Sequence, residues 1–311
     1  MTTHAGFAAV VGAPNAGKST LVNALVGAKV SIVTHKVQTT RFPVRGVAVA
    51  GEAQIVLVDT PGIFGPRRRL DRAMVRAAWG ALEDADAIVH VVDAASEAAV
   101  ADGQGSAADR RAVEDVERIL AGLRGGRRKA LLALNKIDKV KRERLLPTAE
   151  AVFANGVYEE VFMISALTGD GVDDLRRALA TKMPAGPWLY PPDQLADLSE
   201  RLLAAEVTRE KVYLRAHQEL PYQAAVQTTA FTERPDGSAR IEQTILVERE
   251  GQRPILLGKG GRTLKAIGEA ARTELAGILG RPVHLFLTVK VKQTWAEDRG
   301  LFRDLGLEFD V

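Results

Sequence analysis

Short apolar runs alternate with amphipathic stretches of helical period over residues 1–182. The apolar runs predict strands at Phe7–Val11, Phe42–Val49, Gln54–Asp59, Ala87–Asp93, Ala130–Asn135 and Glu160–Ser165. The amphipathic stretches predict helices at Lys18–Val26, Leu70–Leu82, Arg110–Leu123, Lys141–Phe153 and Val172–Lys182. Several strands are nearly continuous in Val, Ile, Leu and Ala, as expected where helices cover both faces of a mainly parallel sheet. We therefore expect an α/β domain over residues 1–182.

The pattern changes after MPAGPWLYPPD (183–193), whose four prolines in eleven residues predict an extended linker with aromatic anchors. The remaining residues predict, in order, a helix, two strands, a helix and a strand: Leu198–Ala216, Ala224–Glu233, Arg240–Arg249, Arg262–Leu279 and Pro282–Val291. The turn PDGS (235–238) between the two strands favours a hairpin. This order is α+β, so we expect a second domain of different architecture over residues 194–311.

Composition excludes several classes of protein. The 311 residues include 42 Lys and Arg, 39 Asp and Glu and no Cys, for a net charge of +3. The lack of Cys excludes disulfides, thiolate nucleophiles and Cys-based metal sites, and no signal peptide is predicted. Because no apolar run approaches the ~18 residues of a membrane helix, we expect any membrane contact to be peripheral. A net charge of +3 is too small to indicate nucleic-acid binding, so an RNA site needs a local basic cluster.

A phosphate-binding loop is indicated where the first strand meets the first helix. The segment GAPNAGKS (12–19) fits GxxxxGK[ST], in which glycines let successive N–H groups point at phosphate oxygens and the helix N-terminus adds its dipole. Lys18 is expected to reach the β- and γ-phosphates, and the Ser19 hydroxyl to bind Mg²⁺. The candidate nucleotide-binding residues are Gly12, Ala13, Pro14, Asn15, Ala16, Gly17, Lys18, Ser19 and Thr20. The alternative is a simple glycine-rich turn.

The segment DTPG (59–62) follows another apolar strand. A carboxylate at a strand end can hold Mg²⁺ through water, and a glycine N–H can contact the γ-phosphate. We therefore assign Asp59 to Mg²⁺ and Gly62 to the γ-phosphate, and include Thr60 and Pro61 among the nucleotide-binding residues. This tetrapeptide is also a common turn, but its position after the phosphate loop favours the site.

A threonine for Mg²⁺ and the γ-phosphate is expected in QTTR (38–41). We favour Thr40, although the spacing also permits Thr39. Lys18, Thr40 and Gly62 are then the residues expected to act in hydrolysis.

The residue after DTPG is Ile63, where many nucleotide hydrolases carry a water-orienting Gln. Ile63 cannot orient water, so hydrolysis must use another device or a partner. The side-chain oxygen of Asn15 is a candidate ligand for K⁺ beside the phosphates. The alternative is that Asn15 only fills or caps the turn.

The base specificity is predicted by NKID (135–138) at the end of a third apolar strand. The Asp138 carboxylate can accept both N1–H and the exocyclic amino group of guanine, whereas adenine offers neither donor. Sites built around such a pair reject the wrong partner by roughly 10⁴-fold. Lys136 is expected to lay its aliphatic stem along the purine ring. Asn135, Ser165 and Ala166 complete the set, with the Ala166 N–H available to the guanine oxygen.

A glycine-rich loop also opens a helix in the second half, within LLGKGGRTLK (256–265). Glycines there permit close backbone approach, and flanking cations hold the phosphates of single-stranded nucleic acid. Residues 251–268 hold four cations and no acid, and residues 281–296 hold three cations and no acid. The candidate RNA-binding residues are Gly258, Lys259, Gly260, Gly261, Arg262, Lys265, Lys290 and Lys292. Taken alone, such a loop is more often a helix-entry turn.

With these motifs in order, the chain resembles the Era family of bacterial GTPases over residues 5–307. GAPNAGKS, QTTR, DTPG, NKID and ISA (164–166) match the GTPase motifs, and LPY (220–222), ILVEREGQ (245–252), the GKGG loop and Trp295 match the second half. The resemblance implies an α/β P-loop GTPase domain with a mainly parallel sheet, followed by an α+β type II KH domain. It implies hydrolysis of GTP to GDP and phosphate with Mg²⁺, and binding to the 3′ end of 16S rRNA in maturation of the 30S subunit. It also implies a cytoplasmic monomer with peripheral association at the inner membrane.

Two other interpretations remain open. In one, the KH-like half is only a protein-docking or regulatory module. In the other, the chain is a constitutive RNA-binding chaperone for which GTP is a structural ligand.

Overall fold

The computed structural model describes residues 2–34, 36, 38–126, 129–216 and 220–311, and within these residues seven strands form one sheet in the first half. The strands are β1 (His4–Gly12), β2 (Val44–Ala50), β3 (Ala53–Asp59), β4 (Ala87–Asp93), β5 (Ala130–Asn135), β6 (Tyr158–Met163) and β7 (Ala196–Asp197). Their order across the sheet is β6-β5-β4-β1-β3-β2-β7. Only β2 runs antiparallel to its neighbours β3 and β7, which confirms the mainly parallel sheet.

Helices cover both faces of this sheet. They are α1 (Lys18–Val26), α2 (Arg69–Glu83), α3 (Ala94–Ala101), α4 (Ala107–Arg124), α5 (Arg142–Phe153) and α6 (Val172–Lys182). Along β5, Leu131 packs in a core with α1 and α6, whereas Leu132 packs in a second core with α4 and α5. Because alternate residues of β5 enter different cores, both of its faces must be apolar. Helix α3 was not predicted, since its Ala-rich sequence lacks an amphipathic pattern.

The proline-rich segment 183–193 is fixed along the first sheet. The side chain of the fully buried Gln54 accepts the N–H groups of Leu189 (2.8 Å) and Tyr190 (3.0 Å) and donates to the Tyr190 carbonyl (2.8 Å). Trp188 Nε1 donates to the Glu52 carbonyl at 3.1 Å. The segment is therefore tied to β3 and its flanking turn by these contacts.

The chain divides into two compact units at positions that differ from the predicted domain boundary. The first unit extends to Asp197 and includes Leu305–Val311, and the second is Leu198–Asp304. We expected residues 194–197 and 305–311 in the second domain. Residues 196–197 instead form β7, which pairs with β2. The C-terminal segment lies on α2, where the Arg69 guanidinium is 4.4 Å from the Phe309 ring centroid and Arg76 Nε is 2.8 Å from Glu308 Oε2.

The second unit is α+β, as predicted. Its helices are α7 (Glu200–Arg215), α8 (Gln252–Leu257), α9 (Arg262–Leu279) and α10 (Arg299–Asp304). Its strands are β8 (Ala224–Glu233), β9 (Ala239–Val247) and β10 (Val283–Val291), in the order β10-β9-β8, with β9 antiparallel to β8 and parallel to β10. One core joins Ile245, Leu256 and Ile267, and so fixes α8 and α9 against the sheet. In the part of the chain described above, no helix combines the length and apolar character needed to cross a membrane.

Candidate nucleotide site and nucleic-acid interface

The phosphate-binding loop connects β1 to α1, and its geometry depends on Gly17. That residue has φ +101°, and a Cβ atom there would lie 2.2 Å from Asn135 Nδ2. Only glycine therefore lets the loop approach the end of β5 this closely. Helix α1 begins at Lys18 directly after the loop, so its unpaired N–H groups face the loop.

Lys18 is buried among the carbonyl groups of the loop itself. Its Nζ donates to the carbonyls of Gly12 (3.1 Å) and Ala13 (2.9 Å). Burial lowers the pKa of Lys18 to about 8, and the nearby Asp59 carboxylate opposes that shift. The Lys18 ammonium is thus held at the loop. A phosphate bound there would stabilise the charged form of Lys18, which burial disfavours.

Three oxygen-bearing side chains converge beside the loop. Ser19 Oγ donates to Asp59 Oδ2 at 2.7 Å and lies 2.9 Å from Thr40 Oγ1, which is 3.3 Å from the same carboxylate oxygen. Asp59 is fully buried, and burial raises the pKa of its carboxyl group against hydrogen bonds and the charge of Lys18. Its Oδ1 accepts no hydrogen bond from the described part of the chain. Two hydroxyls and a buried carboxylate with an unpartnered oxygen are the hard donors that suit Mg²⁺.

The structure brings Thr40 to this cluster and places Thr39 elsewhere. Thr39 Oγ1 donates to the Lys36 carbonyl at 2.7 Å and lies 2.7 Å from Thr34 Oγ1. The geometry therefore favours Thr40 as the Mg²⁺ ligand.

The residues of the DTPG segment (59–62) lie partly at the cavity and partly in the core. Gly62 lies against Pro14, where an added Cβ would be 3.0 Å from the proline ring. Thr60 is fully buried and its hydroxyl donates to the Val10 carbonyl at 2.8 Å. Its side chain therefore braces β1 and does not line the cavity. Ile63 is fully buried in the core beneath α2 and α4, so it has no access to a water molecule.

The motif at the end of β5 forms the other wall. Asn135 is a brace: its Nδ2 donates to the Ala16 carbonyl (2.8 Å), and its Oδ1 accepts the Ala166 N–H (2.9 Å). Asp138 is oriented by Ser165, whose hydroxyl donates to Asp138 Oδ1 at 2.7 Å. We expected the Ala166 N–H to be available for a guanine oxygen. The structure differs, because Asn135 already accepts this N–H in tying the two loops together.

These elements enclose one cavity of about 350 Å³, within the size range of small-molecule sites. Of the predicted residues, those that line it are Pro14, Asn15, Gly17, Lys18, Ser19, Thr20, Thr40, Gly62, Asn135, Lys136, Asp138 and Ala166. The other predicted residues lie outside the lining: Gly12, Ala13, Ala16, Asp59, Thr60, Pro61 and Ser165. Sequence reasoning missed other residues that also line it, and Thr39, the alternative to Thr40, lines it as well; those missed are Ile32, Val33, Thr34, Gln38, Lys139 and Leu167. Leu167 follows ISA directly and is 77% exposed, so position beside the motif was the available signal.

The glycine loop of the second unit lies between α8 and α9. Gly258, Gly260 and Gly261 all have positive φ, and Lys259–Gly261 form a 3₁₀ turn. The cations Lys259, Arg262, Lys265, Lys290 and Lys292 are exposed, as is Arg253 at the start of α8. Ile255 on α8 is 58% exposed and was missed; an apolar residue just before the loop was its only signal.

Two of these cations have acidic neighbours that come from outside the acid-free segments. Lys292 pairs with Asp298, and Lys265 Nζ is 4.0 Å from Glu269 Oε1. Both acids lie just beyond the segments counted in the sequence. The local positive charge is therefore smaller than predicted, and it rests chiefly on Arg253, Lys259, Arg262 and Lys290.

Comparison with known proteins identifies two families. The family described as 50S ribosome-binding GTPase matches residues 7–136, and the KH domain family matches residues 219–296. GTPase Era of Caulobacter vibrioides (strain NA1000 / CB15N) is 67% identical over 309 residues, which cover 99% of this chain and 98% of that protein. GTPase Era of Maricaulis maris (strain MCS10) is 60% identical over 306 residues, with 98% of each chain covered.

Solved structures agree over the same length. A variant of Aquifex aeolicus Era bound to GDP·AlF₄⁻ matches with a TM-score of 0.86 and 38% identity, covering 98% of this chain and 99% of that one. Era in complex with MgGDPNP and nucleotides 1506–1542 of 16S ribosomal RNA matches with the same TM-score, identity and coverage.

Proposed function

The chain belongs to the GTPase Era family, and on that premise we propose that it is a switch in which GTP controls RNA binding. The first unit binds GTP and hydrolyses it to GDP and phosphate. The second unit binds the 3′ end of 16S ribosomal RNA, and the protein acts in maturation of the 30S subunit. Hydrolysis then times a step of assembly. The relative that holds MgGDPNP together with 16S rRNA supports this pairing of ligands.

One observation carries the proposal: a phosphate-binding loop, the Ser19 and Thr40 hydroxyls that contact the Asp59 carboxylate, and an oriented Asp138 share a single cavity. Each feature alone has a structural explanation. Together they match the three parts of a guanine nucleoside triphosphate, namely its phosphates, its metal ion and its base.

Hydrolysis requires the phosphates to be held while water attacks the γ-phosphate. Lys18 and the N–H groups at the start of α1 hold the negative charge, and the Gly62 N–H contacts the γ-phosphate. Ser19, Thr40 and Asp59 would hold Mg²⁺, which neutralises charge on the phosphate oxygens. After hydrolysis, Thr40 and Gly62 lose their γ-phosphate partner, so the segments that carry them are released.

Ile63 is buried, so a different group must assist the reaction. We propose that Asn15 helps to hold K⁺ beside the phosphates, where the ion supplies positive charge. Asn15 is an exposed residue within the phosphate loop, has φ +63° and lines the cavity. The proposed catalytic residues remain Lys18, Thr40 and Gly62.

RNA binding is proposed for the surface around the GKGG loop. The exposed cations there give phosphate contacts, and the loop glycines allow close backbone approach. Gly258, Lys259, Gly260, Gly261, Arg262, Lys265, Lys290 and Lys292 remain the proposed contact residues, with Lys292 already engaged by Asp298.

The family resemblance also supports a cytoplasmic monomer that associates peripherally with the inner membrane. Light scattering after size-exclusion chromatography tests the monomer. Flotation with anionic vesicles tests the membrane contact; protein remaining at the bottom of the gradient contradicts it.

The experiment that tests the proposed function is GTP turnover with and without an RNA of the 16S 3′-end sequence. We expect turnover with GTP but not ATP, and a change in rate when RNA is added. The double variant Lys259→Glu/Lys265→Glu is the control, because both side chains are exposed on the second unit. It should keep the basal rate and lose the RNA effect.

Other outcomes distinguish the alternatives. RNA binding that survives the double charge reversal would favour a protein-docking role for the second unit. GTP binding with negligible turnover in RNA and potassium would favour a chaperone for which GTP is only structural.

A further inference from the structure

A carboxylate outside the predicted motifs lies at the same sheet edge as the base motif. Asp93 ends β4 and Asn135 ends β5, and the two residues are register partners in these parallel strands. Parallel strands bring their carboxyl ends to one edge, so Asp93 lies beside the start of NKID.

The two oxygens of Asp93 have different partners. Oδ1 accepts the N–H groups of Ala95 (3.0 Å) and Ser96 (3.4 Å), which caps α3. Oδ2 accepts from Lys136 Nζ at 2.5 Å. Both side chains are largely withdrawn from water, with 16% of Asp93 and 24% of Lys136 exposed. This ion pair is therefore screened less than a surface pair.

Lys136 is held in an unusual backbone conformation at the cavity. Its φ of +66° is in the left-handed region, which a residue with a side chain rarely adopts. The Lys136 side chain lines the cavity together with Asp138. The Asp93 carboxylate therefore holds the ammonium at the end of the Lys136 side chain. The backbone conformation of Lys136 directs the aliphatic stem of that side chain into the cavity wall.

We propose that Asp93 is a positioning residue for the purine base. By fixing the Lys136 ammonium before nucleotide arrives, it keeps the aliphatic stem extended as a surface for the ring. A free lysine would have to give up its rotamer freedom on binding, and such ordering weakens affinity by about two- to tenfold for one long side chain. This inference rests on the proposed function, because it assumes that the cavity holds a guanine base.

Asp93 also caps α3, and a pair of variants separates the two roles. Asp93→Asn removes the charge that holds Lys136 but retains an oxygen for the cap, since Asn caps helices about as well as Asp. Lys136→Met removes the ammonium and retains an apolar stem. The matched control is Asp102→Asn, because Asp102 pairs with Arg144 at the other end of α3.

The experiment measures binding and release of fluorescent GDP by the full chain, with melting temperatures measured without nucleotide. We expect Asp93→Asn and Lys136→Met each to raise the Kd for GDP about two- to tenfold, mainly through faster release. The double variant should lose no more than one single variant, because both changes break the same pair. Asp102→Asn should bind like the unmodified chain.

Two results would overturn the inference. One is GDP affinity unchanged in Asp93→Asn, and the other is losses that multiply in the double variant, as a purely structural cap would give. If Asp93→Asn does not fold, Lys136→Met alone decides: unchanged GDP release means that the held ammonium has no role. Failure of the proposed function is distinguishable, since the unmodified chain would then bind no GDP at all.

Discussion

Replacing Asp138 with Asn should change which purine the protein binds. Asp138 lines the cavity, and its Oδ1 accepts the Ser165 hydroxyl at 2.7 Å. Ser165 is fully buried, and its Oγ also accepts the Thr168 N–H at 3.2 Å, so the orienting hydroxyl is itself fixed. An Asn side chain keeping its oxygen toward Ser165 would present its NH₂ group to the base. Guanine offers donors there, whereas xanthine offers a carbonyl at carbon two.

The magnitude follows from the bonds lost. The carboxylate accepts two guanine donors, and each hydrogen bond to a charged group is worth about 1.5–3 kcal/mol. Losing both costs about 3–6 kcal/mol, which corresponds to a rise of roughly 10²–10⁴-fold in the Kd for GTP. Xanthosine triphosphate should then bind Asp138→Asn at least tenfold more tightly than GTP does.

The assay is displacement of fluorescent GDP by GTP, xanthosine triphosphate and ATP. Ser165→Ala is the control, because it frees the carboxylate but leaves its charge. That variant should lose affinity for GTP without gaining affinity for the xanthine nucleotide. Unchanged preference for GTP in Asp138→Asn would refute guanine recognition by this carboxylate.

Further expectations concern ions and stability. Replacing K⁺ with Na⁺ should slow GTP turnover in the unmodified chain but not in Asn15→Ala; equal rates of the unmodified chain in both salts would exclude an Asn15-bound cation. RNA affinity should fall about 50-fold between about 50 and 200 mM salt if Arg253, Lys259, Arg262 and Lys290 contact phosphates of a single strand; a flat dependence measured by fluorescence anisotropy would place the RNA elsewhere. Burial, with the charges of Glu117 and Asp93, raises the pKa of Glu97 from 4.5 to about 7. The folded state therefore retains a proton that the unfolded chain releases, and Glu97 lowers stability as pH rises from about 4.5 to 7. Glu97→Gln should raise the free energy of unfolding by about 1–3 kcal/mol at pH ~8 and by little at pH ~4.5; an equal effect at both pH values in urea titrations would exclude the raised pKa.

The positions of the nucleotide motifs were predictable because each follows an apolar strand. Gly12, Asp59 and Asn135 are the last residues of β1, β3 and β5, which run parallel in one sheet. Their carboxyl ends must share one edge, so motifs far apart in the chain meet there. The continuous apolar character of β4 and β5 likewise predicted helices on both faces.

Other features depend on pairings that local patterns do not contain. The return of residues 196–197 to the first sheet rests on a match with Arg45 and Gly46, far away in sequence. The pairing of Lys292 with Asp298 required a turn after β10 that brings an acid back to the strand end. The role of Asp93 was not predicted, because the sequence AIVHVVD does not show whether its final Asp caps the next helix or pairs with Lys136.

The hydrogen-bond partners of polar groups in the core and the site were also not predictable from local sequence patterns. His90 in β4 is fully buried, with Nδ1 2.8 Å from the Tyr158 hydroxyl. The position of the histidine followed from the strand pattern, whereas its partner did not. The partner of the Ala166 N–H was not predictable either, because its hydrogen bond to Asn135 depends on a contact between two loops.

The most direct test of the central claim compares RNA affinity in two nucleotide states of one protein sample. The measurement is the Kd for a fluorescent RNA with the 16S 3′-end sequence, in the presence of Mg²⁺ with a non-hydrolysable GTP analogue or with GDP. A GTP-controlled switch predicts tighter binding with the analogue, and loss of that difference in Thr40→Ala. Equal affinities in both nucleotide states would contradict control of RNA binding by GTP.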